Sequence, residues 1–150
     1  MASSNNAALR IGLQLPSRLD LLGVVDKVIE GITEQMEFDD VDRDAIAISV
    51  IEASTNAIQH GHETDPTKPI DIVFEIEEDR LVVTVHDHGV GYVPDLSDDP
   101  TPPDLLSTRG RGIFIMRSMM DEVTFDVTDG TLVRLVKEKN AGGGEEENSG

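Results

Sequence analysis

Two neighbouring segments, "IDIVFEIE" and "RLVVTVHD", constrain this chain more than anything else in it. In the first, Ile70, Ile72, Phe74 and Ile76 fall on one side of an extended backbone. In the second, Leu81, Val83 and Val85 do so, and Asp87 follows them in phase. Side chains alternate across a strand, so both segments have one apolar face to bury. "EEDR" between them suits a hairpin turn. A hairpin with one apolar face needs a cover, and the rest of the chain has to supply it.

The cover comes from helical periodicity. "LRIGLQL" is a further strand, with Leu9, Ile11, Leu13 and Leu15 on one face. Pro16 and Ser17 open an amphipathic helix to about Met36, with Leu21, Leu22, Val25, Val28, Ile29 and Ile32 inward. A second helix runs from about Val41 to His60 on a stripe of Ala47, Val50, Ile51, Ser54 and Ile58. "GHETDPTKP" is a loop, and residues 92–109, rich in Pro, Asp and Ser, form a long one suited to a lid. "GIFIMRSMM" is a short helix in which Met116, Met119 and Met120 fill core. "EVTFDV" and "TLVRLVK" make a last hairpin about Asp129 and Gly130. The expected fold is α+β: a two-layer α/β sandwich, its sheet mixed but mostly antiparallel, with helices on one face. Residues 9–138 form one domain, between a flexible N-terminus at 1–8 and a disordered acidic tail at 139–150.

Charge narrows the function. Thirty acidic residues stand against twelve basic ones, for a net charge of -18, and the tail accounts for only -3 of it. A surface this acidic repels a nucleic-acid backbone. A small phosphorylated ligand remains open to it if a metal cation and local amide dipoles screen the charge. The absence of cysteine excludes disulfides and thiolate zinc sites and fits a reducing, cytoplasmic setting. No leader-like or membrane-length apolar run is expected in the sequence.

Three local patterns bear on chemistry. "DHGVG" ends a strand with Asp87 on the covered face and then places Gly89 and Gly91. A buried carboxylate needs a partner, which a helix cap or a salt bridge also satisfies. "IEASTNAIQH" sets Glu52 and Asn56 one helical turn apart, about 40° around the axis. They could act as a base and a metal ligand, or stand as two solvated polar residues. "RGRGIF" puts Gly110 and Gly112 at a helix start, where free amides favour phosphate. Alone, it also reads as a plain glycine-containing loop.

Together, in this order, the three patterns resemble the GHKL or Bergerat-fold ATP-binding family. "VIEASTNAIQHG" and "GRGIFIMRSMMDEV" are most similar to the small bacterial anti-sigma-factor serine kinases, over about residues 9–137. The resemblance implies ATP and Mg²⁺ as cofactors and a role for each residue. Asp87 would accept a hydrogen bond from the adenine amine and repel the guanine oxygen. Gly89 and Gly91 would let purine and ribose lie against the backbone. Asn56 would bind Mg²⁺, and His60 and Ile113 would join the nucleotide-binding set. Gly110, Arg111 and Gly112 would hold the phosphates, Glu52 would be the general base, and Arg109 or Arg111 would stabilise the transferring group. The implied partners are a sigma factor and an anti-anti-sigma protein, with homodimerisation possible and no membrane or direct nucleic-acid binding. The alternative is a non-catalytic module that uses nucleotide to shape a partner surface.

The histidines stand apart. His60 and His62, and His86 and His88, have the spacing of transition-metal ligands. Alternation puts His86 and His88 on the outward face, away from Asp87, where solvated or partner-facing side chains are expected.

Overall fold

The computed structural model describes residues 9–61, 65–89, 108–127 and 129–139, without the side chains at 60–61 and 108–111. The expectations for the two termini and for most of the 92–109 loop lie outside these residues. Five strands form one sheet: β1 (Leu9–Pro16), β2 (Pro69–Ile76), β3 (Arg80–Asp87), β4 (Glu122–Asp126) and β5 (Thr131–Glu138). Their order is β1-β2-β3-β5-β4. Every pairing is antiparallel, where the sequence reading allowed a mixed sheet.

The cover is α1 (Leu22–Gln35), α2 (Asp40–Asn56) and α3 (Thr108–Met119). The predicted inward residues Ile70, Ile72, Phe74, Leu81, Val83 and Val85 all join one core cluster with Val25, Ile29 and Ile32 of α1. Met116 of α3 and Met120, just past its end, join it too, whereas Met119, also expected to fill core, does not. On the other face, Val82 and Val136 pair across β3 and β5 and are buried outside that cluster.

Two boundaries differ from the sequence reading, each for a local reason. Ser17 does not cap α1, because its hydroxyl donates to the Lys68 carbonyl. The chain continues β1 through Pro16, makes a 3₁₀ turn at Leu19–Leu21, and only then enters α1. The buried stripe of α2 is also wider than expected. Ala45, Ile46, Ser49, Ala53 and Ala57 are buried beside Val50, Ser54 and Ile58, whereas Ala47 and Ile51 are only half-buried. The cause is that α2 packs against α1, α3 and the sheet at once, and a single amphipathic stripe describes only one contact.

Small devices fix the ends of the helices. Asp39 caps α2 by accepting from the Asp42 amide at 2.9 Å, and Asp40 and Asp42 lie in its first turn. Glu37, at φ 64°, reverses the chain after α1, with the Phe38 amide bonded to the Thr33 carbonyl. Lys137 of β5 donates to the Met119 carbonyl at the end of α3 and lies 3.6 Å from Asp42 of α2. One cation thus ties two helices to the sheet.

The turn before β5 packs against the end of β3. Gly130 has φ 77° and sits against the backbone of Asp87 and His88. An added Cβ would meet the Asp87 carbonyl oxygen and would lie 2.7 Å from the His88 Cα. Gly130→Ala therefore combines a left-handed backbone with a collision against main chain, and should destabilise the fold by about 1–3 kcal/mol. Denaturant unfolding checks this, and an unchanged midpoint would mean that the turn does not rest on the end of β3.

Candidate functional site

The end of β3 meets the start of β5 in register, Asp87 opposite Thr131. Alternation turns Asp87 to the helical side, where it is only 4% exposed. Its Oδ1 accepts from the Gly89 amide at 2.9 Å and, more weakly, from the Thr131 amide at 3.4 Å. No cation is paired with it among the described residues. A carboxyl group held by main-chain amides on one oxygen keeps acceptor capacity for a further donor.

That capacity faces a cavity. Asp87 and Thr131 line it with Ala53 and Asn56 of α2, Ala57 just past its end, Ile113 of α3, and Val85, Phe125 and Val133 of the sheet. Its volume is about 20 Å³, enough for one water and far short of a purine. A ring entering here has to part the small residues of α2 from Ile113 or Phe125.

The helix beside the cavity is irregular where it matters. Regular α2 ends at Asn56, and Ala57–Gly61 continues as a π turn. Ser54 and Thr55 donate their hydroxyls back to the Val50 and Ile51 carbonyls, both at 2.8 Å. Such back-bonding competes for the helix's own acceptors and bends it, and π turns cluster at functional positions.

One turn before Asn56, Glu52 is half-buried against α3. A Cβ on Gly112 would meet its Oε2 and lie 2.7 Å from Cδ and 2.8 Å from Cγ. The helix containing Gly112 starts at Thr108, four residues earlier than the sequence reading placed it. Gly110 and Arg111 thus fall in the first turn, where amides lack an intrahelical acceptor, and Gly112 lies beyond it. Gly112 thus lies in close approach to the Glu52 side chain, which a side chain at 112 would have to displace.

The structure brings Asn56, Asp87 and Ile113 around one cavity, links Gly89 to Asp87, and sets Gly112 against Glu52. Gly91 and the side chains of His60, Arg109 and Arg111 lie outside the described residues. Sequence reasoning missed Thr131, which lines the cavity and donates its amide to Asp87, and Gly130 behind it. The signal available was register: pairing the last hairpin with β3 would have set Thr131 across from Asp87.

The described residues thus form an antiparallel sheet under three helices, with a buried acceptor at the floor of an inter-layer cavity and a glycine-bearing helix start beside it. Residues 15–137 match the family described as histidine kinase-like ATPase domain. The chain belongs to this family. It is similar to the serine-protein kinase RsbW of Bacillus licheniformis, 32% identical over 87% of this chain and 86% of the relative. It is also similar to RsbW of Bacillus subtilis strain 168, 30% identical over 90% and 89%. Among solved structures it resembles the RsbU and RsbW domains of Rv1364c from Mycobacterium tuberculosis, with a TM-score of 0.63. That match has 14% identity and covers 87% of this chain but 32% of the other, so it concerns the fold alone. No described helix is long and apolar enough to cross a membrane.

The contact between Glu52 and Gly112 is open to a thermodynamic test. Replacing an interior helical glycine by alanine gains about 1 kcal/mol in helix propensity. Here the new methyl must also displace Glu52. A double-mutant cycle should show Gly112→Ala stabilising in a Glu52→Ala background by about 1 kcal/mol and failing to do so in the wild type. Equal effects in both backgrounds would mean that the two residues do not touch.

Proposed function

We propose that this chain is an ATP-dependent protein serine kinase of the anti-sigma type. In this role it holds a sigma factor in one state and phosphorylates an anti-anti-sigma protein in another. The observation that carries the reading is Asp87, a buried acceptor on the cavity floor, held by amides and without a described cation partner. The likeness to serine-protein kinases over nearly the whole chain supports the reaction class.

The residues present suit the ligand. Asp87 accepts from the exocyclic amine of adenine, and guanine offers an oxygen at that place instead. Gly89, without a side chain, would let the base approach the backbone. Asn56, neutral and at the cavity wall, suits Mg²⁺, which takes few protein oxygens and fills its octahedron with phosphates and water. When bound, the ion would supply charge neutralisation at the phosphates.

Glu52 is the general base. It accepts the proton of a substrate serine as the serine oxygen bonds to the γ-phosphorus. The bond from that phosphorus to the bridging oxygen breaks, and ADP leaves with the electron pair. Gly112 gives the carboxylate room beside α3, and any side chain there pushes it out of line. Gly110 and the α3 amides would hold the phosphates, and Arg109 or Arg111 would supply positive charge to the transferring group. His60, in the π turn, belongs with the nucleotide-binding set.

Glu52→Gln keeps the size and hydrogen-bonding shape of the base and removes its basicity. Mg-ATP should bind as in the wild type, while phosphorylation of the cognate anti-anti-sigma protein falls by about 10²- to 10⁴-fold. Phosphoserine formation followed by mass spectrometry reads this directly. A wild type that phosphorylates nothing, with a variant that still regulates its partner, would establish a non-catalytic binding module instead.

A further inference from the structure

The outer face of the sheet carries a second cluster, with its back to the cavity. His86, on β3, and His88, just past its end, are two residues apart on this face. Asp71 of β2 is the register partner of His86. The imidazole centroids are 4.2 Å apart. One ligand atom from each of Asp71, His86 and His88 lies within 4.8 Å of the other two. The histidines, expected on this outward face as solvated or partner-facing side chains, also contact neighbouring groups of the chain. His88 Nε2 is 3.0 Å from Asp71 Oδ2, and His86 Nε2 is 2.6 Å from the Asp129 carbonyl oxygen.

We propose that Asp71, His86 and His88 form a binding site for a borderline-soft dication of the zinc type. Two imidazoles and one carboxylate, with water in the fourth position, are a common zinc donor set. Imidazole nitrogens select such ions over Mg²⁺ and Ca²⁺. Around a tetrahedral ion, at about 2.0–2.1 Å from each donor, the donors stand roughly 3.4 Å apart. The present spread exceeds this by little more than an ångström, a gap that rotation of these exposed or half-exposed side chains would close, since the β2–β3 register already fixes the backbones of Asp71 and His86.

The surroundings have the form of ligand support. Gln14 donates to the other oxygen of Asp71 at 2.9 Å. The Asp129 carboxylate stands 3.8 Å from Nδ1 of His88, the ring nitrogen turned away from Asp71. A carboxylate behind a ligating histidine orients the ring and raises its basicity. The ion would tie β2, the end of β3 and, through Asp129, the turn before β5.

The test titrates the full chain with zinc chloride by calorimetry, and with Co²⁺ by visible absorption, which distinguishes tetrahedral coordination. The wild type should bind one ion per chain, with tetrahedral cobalt bands. Asp71→Asn and His86→Gln should each weaken zinc binding by at least the roughly 10- to 100-fold that loss of a mere supporting group costs. A His60→Gln, His62→Gln double variant should bind as the wild type does. Asp71→Asn preserves shape and decides the matter if His86→Gln melts early. Absence of saturable zinc binding would overturn the proposal. Binding that survives both cluster variants, or that disappears with His60 and His62, would overturn it equally.

Discussion

The carboxyl group of Asp87, buried where β3 ends, is the constraint around which the rest is arranged. Removing such a group from water costs several kcal/mol unless partners replace the lost hydration. The chain provides two amides, from Gly89 and Thr131, and each imposes a condition on the fold. The first requires β3 to turn sharply after Asp87. The second requires β5 to start directly opposite, which Gly130 permits by packing its bare Cα against the Asp87 carbonyl. Neither amide exhausts the acceptor, and the side chain looks into an opening between the layers that α2 and α3 leave beside it.

The helices answer the same constraint from above. Small residues, Ala53 of α2 and Ala57 just past its end, line the opening with the acceptor, and Asn56 stands between them in the chain. Past Asn56 the helix loosens into a π turn, after hydroxyls of Ser54 and Thr55 have drawn on its carbonyls. α3 approaches so closely at Gly112 that Glu52 has no room for a methyl group between them. In the proposed role, recognition and chemistry fall to different interfaces: Asp87 works between helix and sheet, and Glu52 works between helix and helix. Movement of α3 would alter both, because Ile113 lines the cavity and its neighbour Gly112 touches Glu52.

Much of this was legible in the sequence. Period-two alternation placed Ile70, Ile72, Phe74 and the run to Asp87 on the correct face, since a strand allows only two choices. The turn separation of Glu52 and Asn56 survived folding for the same reason, as helix geometry is fixed within a few degrees. What was not legible depends on neighbours. The breadth of α2's buried surface comes from three packing partners, and alternation within one element cannot announce them. Ser17 looked like a helix cap but found the Lys68 carbonyl, a residue 51 positions away. Gly112 was read as a glycine at a helix start open to phosphate, and the neighbour it meets is a side chain on another helix. Thr131 was invisible because its importance lies wholly in the β3–β5 register.

If Asp87 reads adenine, calorimetric titration of the wild type and of Asp87→Asn with Mg-ATP and Mg-GTP will show it. The wild type should bind ATP and prefer it strongly to GTP. Asp87→Asn should stay folded and lose about 10- to 100-fold in ATP affinity, the worth of a hydrogen bond to a charged group. ATP and GTP binding equally to the wild type, or ATP binding undiminished in Asp87→Asn, would remove Asp87 from the recognition of the base.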